Sequence, residues 1–350
     1  TSVFPAGERG RAIGFNVAAV YIGLAAGPYA GGLLTGVFGW RSIFFCNVPF
    51  GLLILYLLAT AVPGEWAAAE RARFDCPGAL FYAGSLVALM TGLSLLPGWP
   101  GLALVLLGLS GFALFARHEL RSASPLFEVR LFRDNRVFAF SSLAALIHYG
   151  ATFAVSFLLS LHLQYVLALG PERAGTVLLW QPLAMALLSP LAGRLSDRWE
   201  PRLLASCGMG VSALALLLLT GMGRAPATGY VVFCLICLGV GFALFSSPNM
   251  NAIMGSVEPR HFGIASGAVG AMRLIGQMSS MAVVLVVFSL TLGGKGAELG
   301  THPALPVAVR RCFSIMSALC AAGIGFSLAR GNLRGGSPPE KEHHGIDAGR

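Results

Sequence analysis

Ten stretches of this chain are apolar for long enough to form membrane-crossing helices, and short polar or Gly/Pro-rich segments separate them. Their bounds predict helices over 12–36, 43–62, 78–96, 100–116, 137–163, 174–192, 203–222, 229–248, 264–292 and 308–329. A hydrocarbon core of about 30 Å takes roughly 20 helical residues to cross, which each run supplies or nearly supplies. Lipid offers backbone N–H and C=O groups no partner, so helices rather than open strands must span it. The pattern predicts an all-α integral membrane protein, a helical bundle of about ten transmembrane helices.

The segments between the runs carry the charge. With the N-terminal segment placed in the cytoplasm, 17 of the 24 Lys and Arg residues fall on the cytoplasmic side and 6 on the other, with Arg273 left inside a helix. Basic residues concentrate on the cytoplasmic side of membrane proteins, so this bias and the even helix count predict a multi-pass protein of the cell (inner) membrane, both termini of the chain cytoplasmic. Residues 118–136, "HELRSASPLFEVRLFRDNR", separate four helices from six and read as a hinge loop. Their charges equally suit a solvated loop that fixes orientation. Residues 331–350 are polar and are expected to be a disordered cytoplasmic tail.

Composition narrows the class. With 56% hydrophobic residues, 11% charged residues and a mean hydropathy of +0.75, no sizeable water-soluble domain remains. The net charge of +9 does not point to nucleic acid, because the basic residues form short clusters between apolar runs, where topology accounts for them. Seven cysteines are scattered, and the close pair Cys234 and Cys237 lies in an apolar run without a His or Cys at metal-ligand spacing; packing is expected there, not a metal site or a disulfide. No P-loop, zinc spacing or Ser-His-Asp arrangement suggests an enzyme.

Several positions inside the runs carry candidate chemistry. Gly23, Gly27 and Gly31 recur every four residues and line one face of the first helix, where another backbone can approach closely; Gly32 and Gly36 begin a second row. Pro28 removes a hydrogen bond to the Leu24 carbonyl, so a bend is expected. Arg273 is the one charge well inside a predicted span, where it costs a few kcal/mol or more unless it meets a cavity or a partner. Gln277, one turn on, shares its face. His148 and His162 are fourteen residues apart on one predicted helix and hence near one face. Each reads either as an interhelical hydrogen bonder or as a group titrating near neutral pH. Asn16, Gln181, Asn249 and Asn251 are further polar candidates. None of the fifteen acidic residues falls in a predicted span.

The spacing Gly14, eight residues, Gly23, three residues, Gly27-Pro28, two residues, Gly31-Gly32 resembles the antiporter signature, motif C, of the major facilitator superfamily. "WRSIFFCNVPFG" from Trp40, and "ERGRAIG" from Glu8, resemble segments around the family's fifth and sixth helices. "FDCPG", ending at Gly78, resembles the entry to the two extra central helices of the fourteen-helix drug/proton antiporter branch. "LHLQYVLALGPERAG" is similar to a helix end and outer loop of the family. "AGRLSDRWEPRLL" resembles the second copy of its cytoplasmic motif A, with Gly193, Asp197, Arg198 and Arg202 in place and Glu200-Pro201 where a Gly is usual.

The resemblance runs from about residue 5 to residue 330. It implies helices five to fourteen of a fourteen-helix transporter: residues 1–62 the last two helices of the N-terminal half, 63–117 the two extra central helices, 137–330 the six-helix C-terminal half. It further implies a monomer that exports amphiphilic, often cationic, toxic small molecules in exchange for protons by alternating access, with the proton gradient in place of any cofactor or metal. Motif C would shape packing that disfavours leak, Asp197 with Arg198 would form part of a gate, and Arg273, Gln277, His148 and Asn249 would border the cavity. The chain begins at Thr1 without Met or a signal-peptide pattern, so an N-terminal truncation is expected, with the proton-coupling carboxylate upstream. An exporter of a siderophore, an amino acid or a secondary metabolite, and a truncated fragment that does not transport, are the alternatives.

Overall fold

The computed structural model describes residues 8–61, 75–122, 129–223, 226–293 and 303–331, with the backbone alone at 28–33, 35 and 36. Those residues form thirteen α-helices: α1 Arg9–Phe38, α2 Ser42–Ala61, α3 Cys76–Ser94, α4 Trp99–Glu119, α5 Arg130–Asp134, α6 Arg136–Thr152, α7 Val155–Leu161, α8 Pro171–Leu178, α9 Trp180–Arg198, α10 Pro201–Thr220, α11 Thr228–Gly255, α12 Phe262–Leu292 and α13 Leu305–Ala329. A π-helical turn, His162–Val166, continues α7. Taken as continuous rods, with α6, α7 and the π turn as one and α8 with α9 as another, they give ten segments long and apolar enough to cross a membrane.

Glycine sets how closely these rods meet. A Cβ at Gly193 of α9 would collide with the Gly10 carbonyl of α1, and one at Gly14 would lie 2.6 Å from the Ser189 carbonyl. Side chains larger than hydrogen at these positions would hold α1 and α9 apart. Gly208 and Gly241 bring α10 and α11 together in the same way, each Cβ position being 2.6 or 2.7 Å from the other's carbonyl oxygen. Gly150 and Gly276 allow α6 to cross α12. The largest core lies among α6, α7, α10, α11 and α13, where Leu158, Met209, Leu216, Leu235, Phe245, Phe313 and Met316 are fully buried. By contrast α2 has no buried residue, as suits an apolar helix whose solvent is lipid.

Three local expectations are corrected. The run 137–163 is not one helix: residues 153 and 154 break it, and the freed Ala154 amide donates to Ser280 Oγ of α12 at 3.1 Å. This break lies between His148 and His162 and interrupts the continuous helix on which their four-turn relation rested. Gly23 and Gly27 do not carry a close crossing: among the described residues no atom lies within 4 Å of either Cβ position, because α1 packs on α9 through its earlier glycines. Glu119, expected in the hinge loop, ends α4 instead and is 3% exposed. Pro28, Gly31 and Gly32 fall where only the continuous backbone of α1 is described.

Candidate functional site

A cavity of about 530 Å³ lies between α1, α6, α11 and α12. That volume suits a small organic molecule. α1 contributes Asn16, Val20 and Tyr21; α6 contributes Tyr149; α11 contributes Phe245, Ser246 and Asn249; and α12 contributes Ser266, Val269 and Arg273. Close packing fixes where these residues stand: α1 is held against α9 through Gly10 and Gly14, and α6 against α12 through Gly150.

Arg273, Asn249 and, from α1, Asn16 all line the cavity, whereas Gln277 and His148 do not. Arg273 is exposed to the cavity although it lies twelve residues into a membrane-length helix. The Tyr149 hydroxyl is within hydrogen-bonding reach of Arg273, Ser246 and Tyr21. Phe242 backs this group, its ring 5.6 Å from Tyr21 and 5.4 Å from Tyr149 in edge-on contact. His148 is fully buried one layer deeper, stacked 4.1 Å from Phe245, with Nδ1 3.8 Å from Cys320 Sγ. His162 is buried at the π turn and its ring nitrogens have no partner among the described residues.

Asn249 is held by a group that the sequence pattern does not disclose. Its Oδ1 accepts from Arg330 Nη1 at 2.8 Å, and its Nδ2 donates to the Ser141 carbonyl at 3.1 Å. Arg330, placed by the pattern among the loop charges, is 1% exposed at the end of α13 and also donates to Ser141 Oγ and the Pro201 carbonyl. Burial lowers its pKa to about 10, so it stays charged at neutral pH. The arginine ties α6, α10, α11 and α13 together at one end and fixes the amide that faces the cavity. Tyr21, Tyr149 and Ser246 were likewise unmarked in the sequence; the available signal was a hydroxyl inside each apolar run.

The motif A-like residues lie at the mouth of α1. The first N–H groups of a helix lack partners within it, and α1 has no acidic residue in its first turn. Asp197 supplies the acceptors from α9: Oδ1 to Gly10 N at 2.7 Å and Oδ2 to Arg11 N at 2.9 Å. Asn251 Nδ2 adds a contact to Oδ1 at 3.4 Å. A carboxylate at a helix N-terminus is also favoured by the helix dipole. Gly193 sits one turn away in the tight contact with Gly10. Arg198 ends α9, and Arg202 starts α10 and donates to the Leu328 carbonyl at 3.4 Å near the end of α13. Asp197 and Arg202 therefore engage different helices.

Comparison with known proteins agrees with this architecture. The model of the Major Facilitator Superfamily matches residues 1–133 and 141–345. A riboflavin transporter of Clostridioides difficile is 28% identical over 93% of this chain and 71% of its own length. A multidrug resistance protein of Mycobacterium tuberculosis is 33% identical over 89% of this chain and 58% of its own length. A cephamycin export protein of Amycolatopsis lactamdurans is 31% identical over 86% of this chain and 64% of its own length. The chain thus spans between 58% and 71% of these three relatives.

Proposed function

The chain belongs to the Major Facilitator Superfamily, and from that premise we propose that it acts in proton-coupled export of drugs or other toxic amphiphilic small molecules by alternating access. The observation that carries the reading is the 530 Å³ cavity itself: α1, the helix with the antiporter-like glycine spacing, forms one wall, and three later helices form the rest. A site shared between the early and late parts of the chain is what rocking of two halves about a central cavity requires. The relatives named for multidrug resistance and cephamycin export support the outward direction. We assign the chain to the fourteen-helix branch, with α3 and α4 as its central pair, Asp197 as a latch between α1 and α9, and the proton gradient as energy source.

The reading is tested by efflux of fluorescent dyes from cells expressing the protein at its full natural length. Expression should lower dye accumulation, and an uncoupler should restore it. Accumulation unchanged by expression would reject export, and efflux indifferent to the uncoupler would reject proton coupling. A vitamin carrier is the second reading, favoured by the riboflavin transporter among the relatives; uptake of labelled riboflavin in the same cells separates the two.

A further inference from the structure

The charge inside the cavity narrows its substrate class, on the premise that this cavity is the transport site. Among the described residues its wall has one ionised side chain, Arg273, and no carboxylate. Among the described residues, the groups that face Arg273, the Tyr149 and Tyr21 hydroxyls, supply dipoles but no counter-charge. A guanidinium is always protonated, and its planar set of N–H donors matches a carboxylate two bonds at a time.

A second feature points the same way. Where α1 leads into the cavity, Arg9 lies 5.4 Å from the ring of Phe262, one turn before the lining residue Ser266, whereas Arg11 and Arg194 gather at Phe15 on the other face of α1. The carboxylates at this end are few. Asp197 is engaged by the Gly10 and Arg11 amides, Glu258 pairs with Arg260 at 2.8 Å, Glu8 is exposed just before α1, and Glu200 and Asp134 stand at the starts of α10 and α6, outside the cavity lining. Arg9 thus adds a positive charge at the mouth to that of Arg273 inside, and a cleft lined by one sign of charge concentrates ligands of the other.

We propose that the cavity takes amphiphiles bearing an anionic oxygen group, which Arg273 binds with the Tyr149 and Tyr21 hydroxyls, while the apolar body lies against Val20, Phe245 and Val269. This departs from the cationic substrates that the family resemblance implies.

Fluorescein and rhodamine 123 share a xanthene ring system and carry opposite charge, so they isolate the charge preference. Fluorescence anisotropy with the purified full-length protein should show fluorescein binding that Arg273→Gln weakens by about tenfold or more, as loss of a charged hydrogen bond does. Arg273→Lys should recover part of it, and rhodamine 123 binding should not fall in Arg273→Gln. Fluorescein binding unchanged in Arg273→Gln, binding of rhodamine 123 alone, or binding of neither dye each overturns the assignment. Proteoliposomes with an imposed proton gradient test the underlying reading separately: fluorescein bound through Arg273 but never moved would leave the charge assignment standing and reject transport.

Discussion

Asp75 shows how a single carboxylate closes a helical hairpin. Its Oδ1 accepts the Gly78 amide at 2.9 Å, capping α3, and its Oδ2 meets His118 Nε2 of α4 at 3.0 Å and Ser122 Oγ at 3.2 Å. The Gly78 bond, aided by His118, outweighs partial desolvation and holds the carboxyl below its usual 3.8. A folded pKa lower than the unfolded one stabilises the fold above the unfolded value, and the gain is lost as pH falls through the folded value. Acidification below pH 3.8 should therefore lower the melting temperature of the purified protein, and less so for Asp75→Asn, which keeps a capping oxygen but cannot ionise. Equal acid sensitivity in both proteins would remove Asp75 from the account. The stretch "FDCPG" was read only for its family resemblance, although Asp ahead of a proline in the first turn is itself a signal for the cap. His118 was not legible, because 43 residues separate it from Asp75 and only the packing of α4 on α3 joins them. Arg330 hid for the same reason: its acceptors at 141, 201 and 249 come from three other helices. Arg273 stood out as a charge in an apolar run, whereas a tyrosine there, such as Tyr21 or Tyr149, is ordinary.

At the scale of the element, run lengths located all ten membrane-length segments, because hydrophobic length is what lipid demands. What length cannot locate is a break within a run. Residues 153 and 154 interrupt the segment Arg136–Val166 with no proline at the site, and the interruption persists because α12 places Ser280 Oγ 3.1 Å from the Ala154 amide. Both groups are buried, so the bond has no water to replace it. Ser280→Ala would leave that amide unpaired at a cost of about 1–3 kcal/mol. Ser280→Thr would keep the acceptor. Thermal unfolding of the two variants in one detergent should rank them wild type, Thr, Ala; an Ala variant as stable as wild type would mean that the break has another support. The glycine spacing of α1 carried a similar ambiguity. Four-residue spacing marks a face on which helices can meet, but which glycines are used depends on the partner, and α9 meets Gly10 and Gly14 rather than Gly23 and Gly27.

For the molecule as a whole, the contact of α1 with α9 matters most, since it joins an early helix to the late helices that complete the cavity. Two kinds of interaction hold it: glycine contacts that depend on shape alone, and Asp197 bonded to the Gly10 and Arg11 amides. If the two halves rock during transport, a shape contact is lost gradually, whereas a carboxylate on a helix end is made or broken as a unit. Asp197→Asn keeps an accepting oxygen but removes the charge, and the loss should be about 0.3–1 kcal/mol. Asp197→Ala removes the acceptors as well and leaves two helix-terminal N–H groups without that partner, so the loss should be larger. The effect is readable as proximity. Gly10 and Gly193 are in backbone contact, so cysteines at the neighbouring positions 11 and 194, in a protein whose other cysteines are replaced, should be joined by a short bis-thiol crosslinker. Crosslinking yield should fall in the order Asp, Asn, Ala at position 197, while membrane abundance stays constant. A yield independent of position 197 would mean that the glycine contacts alone hold α1 to α9 and that Asp197 is no latch.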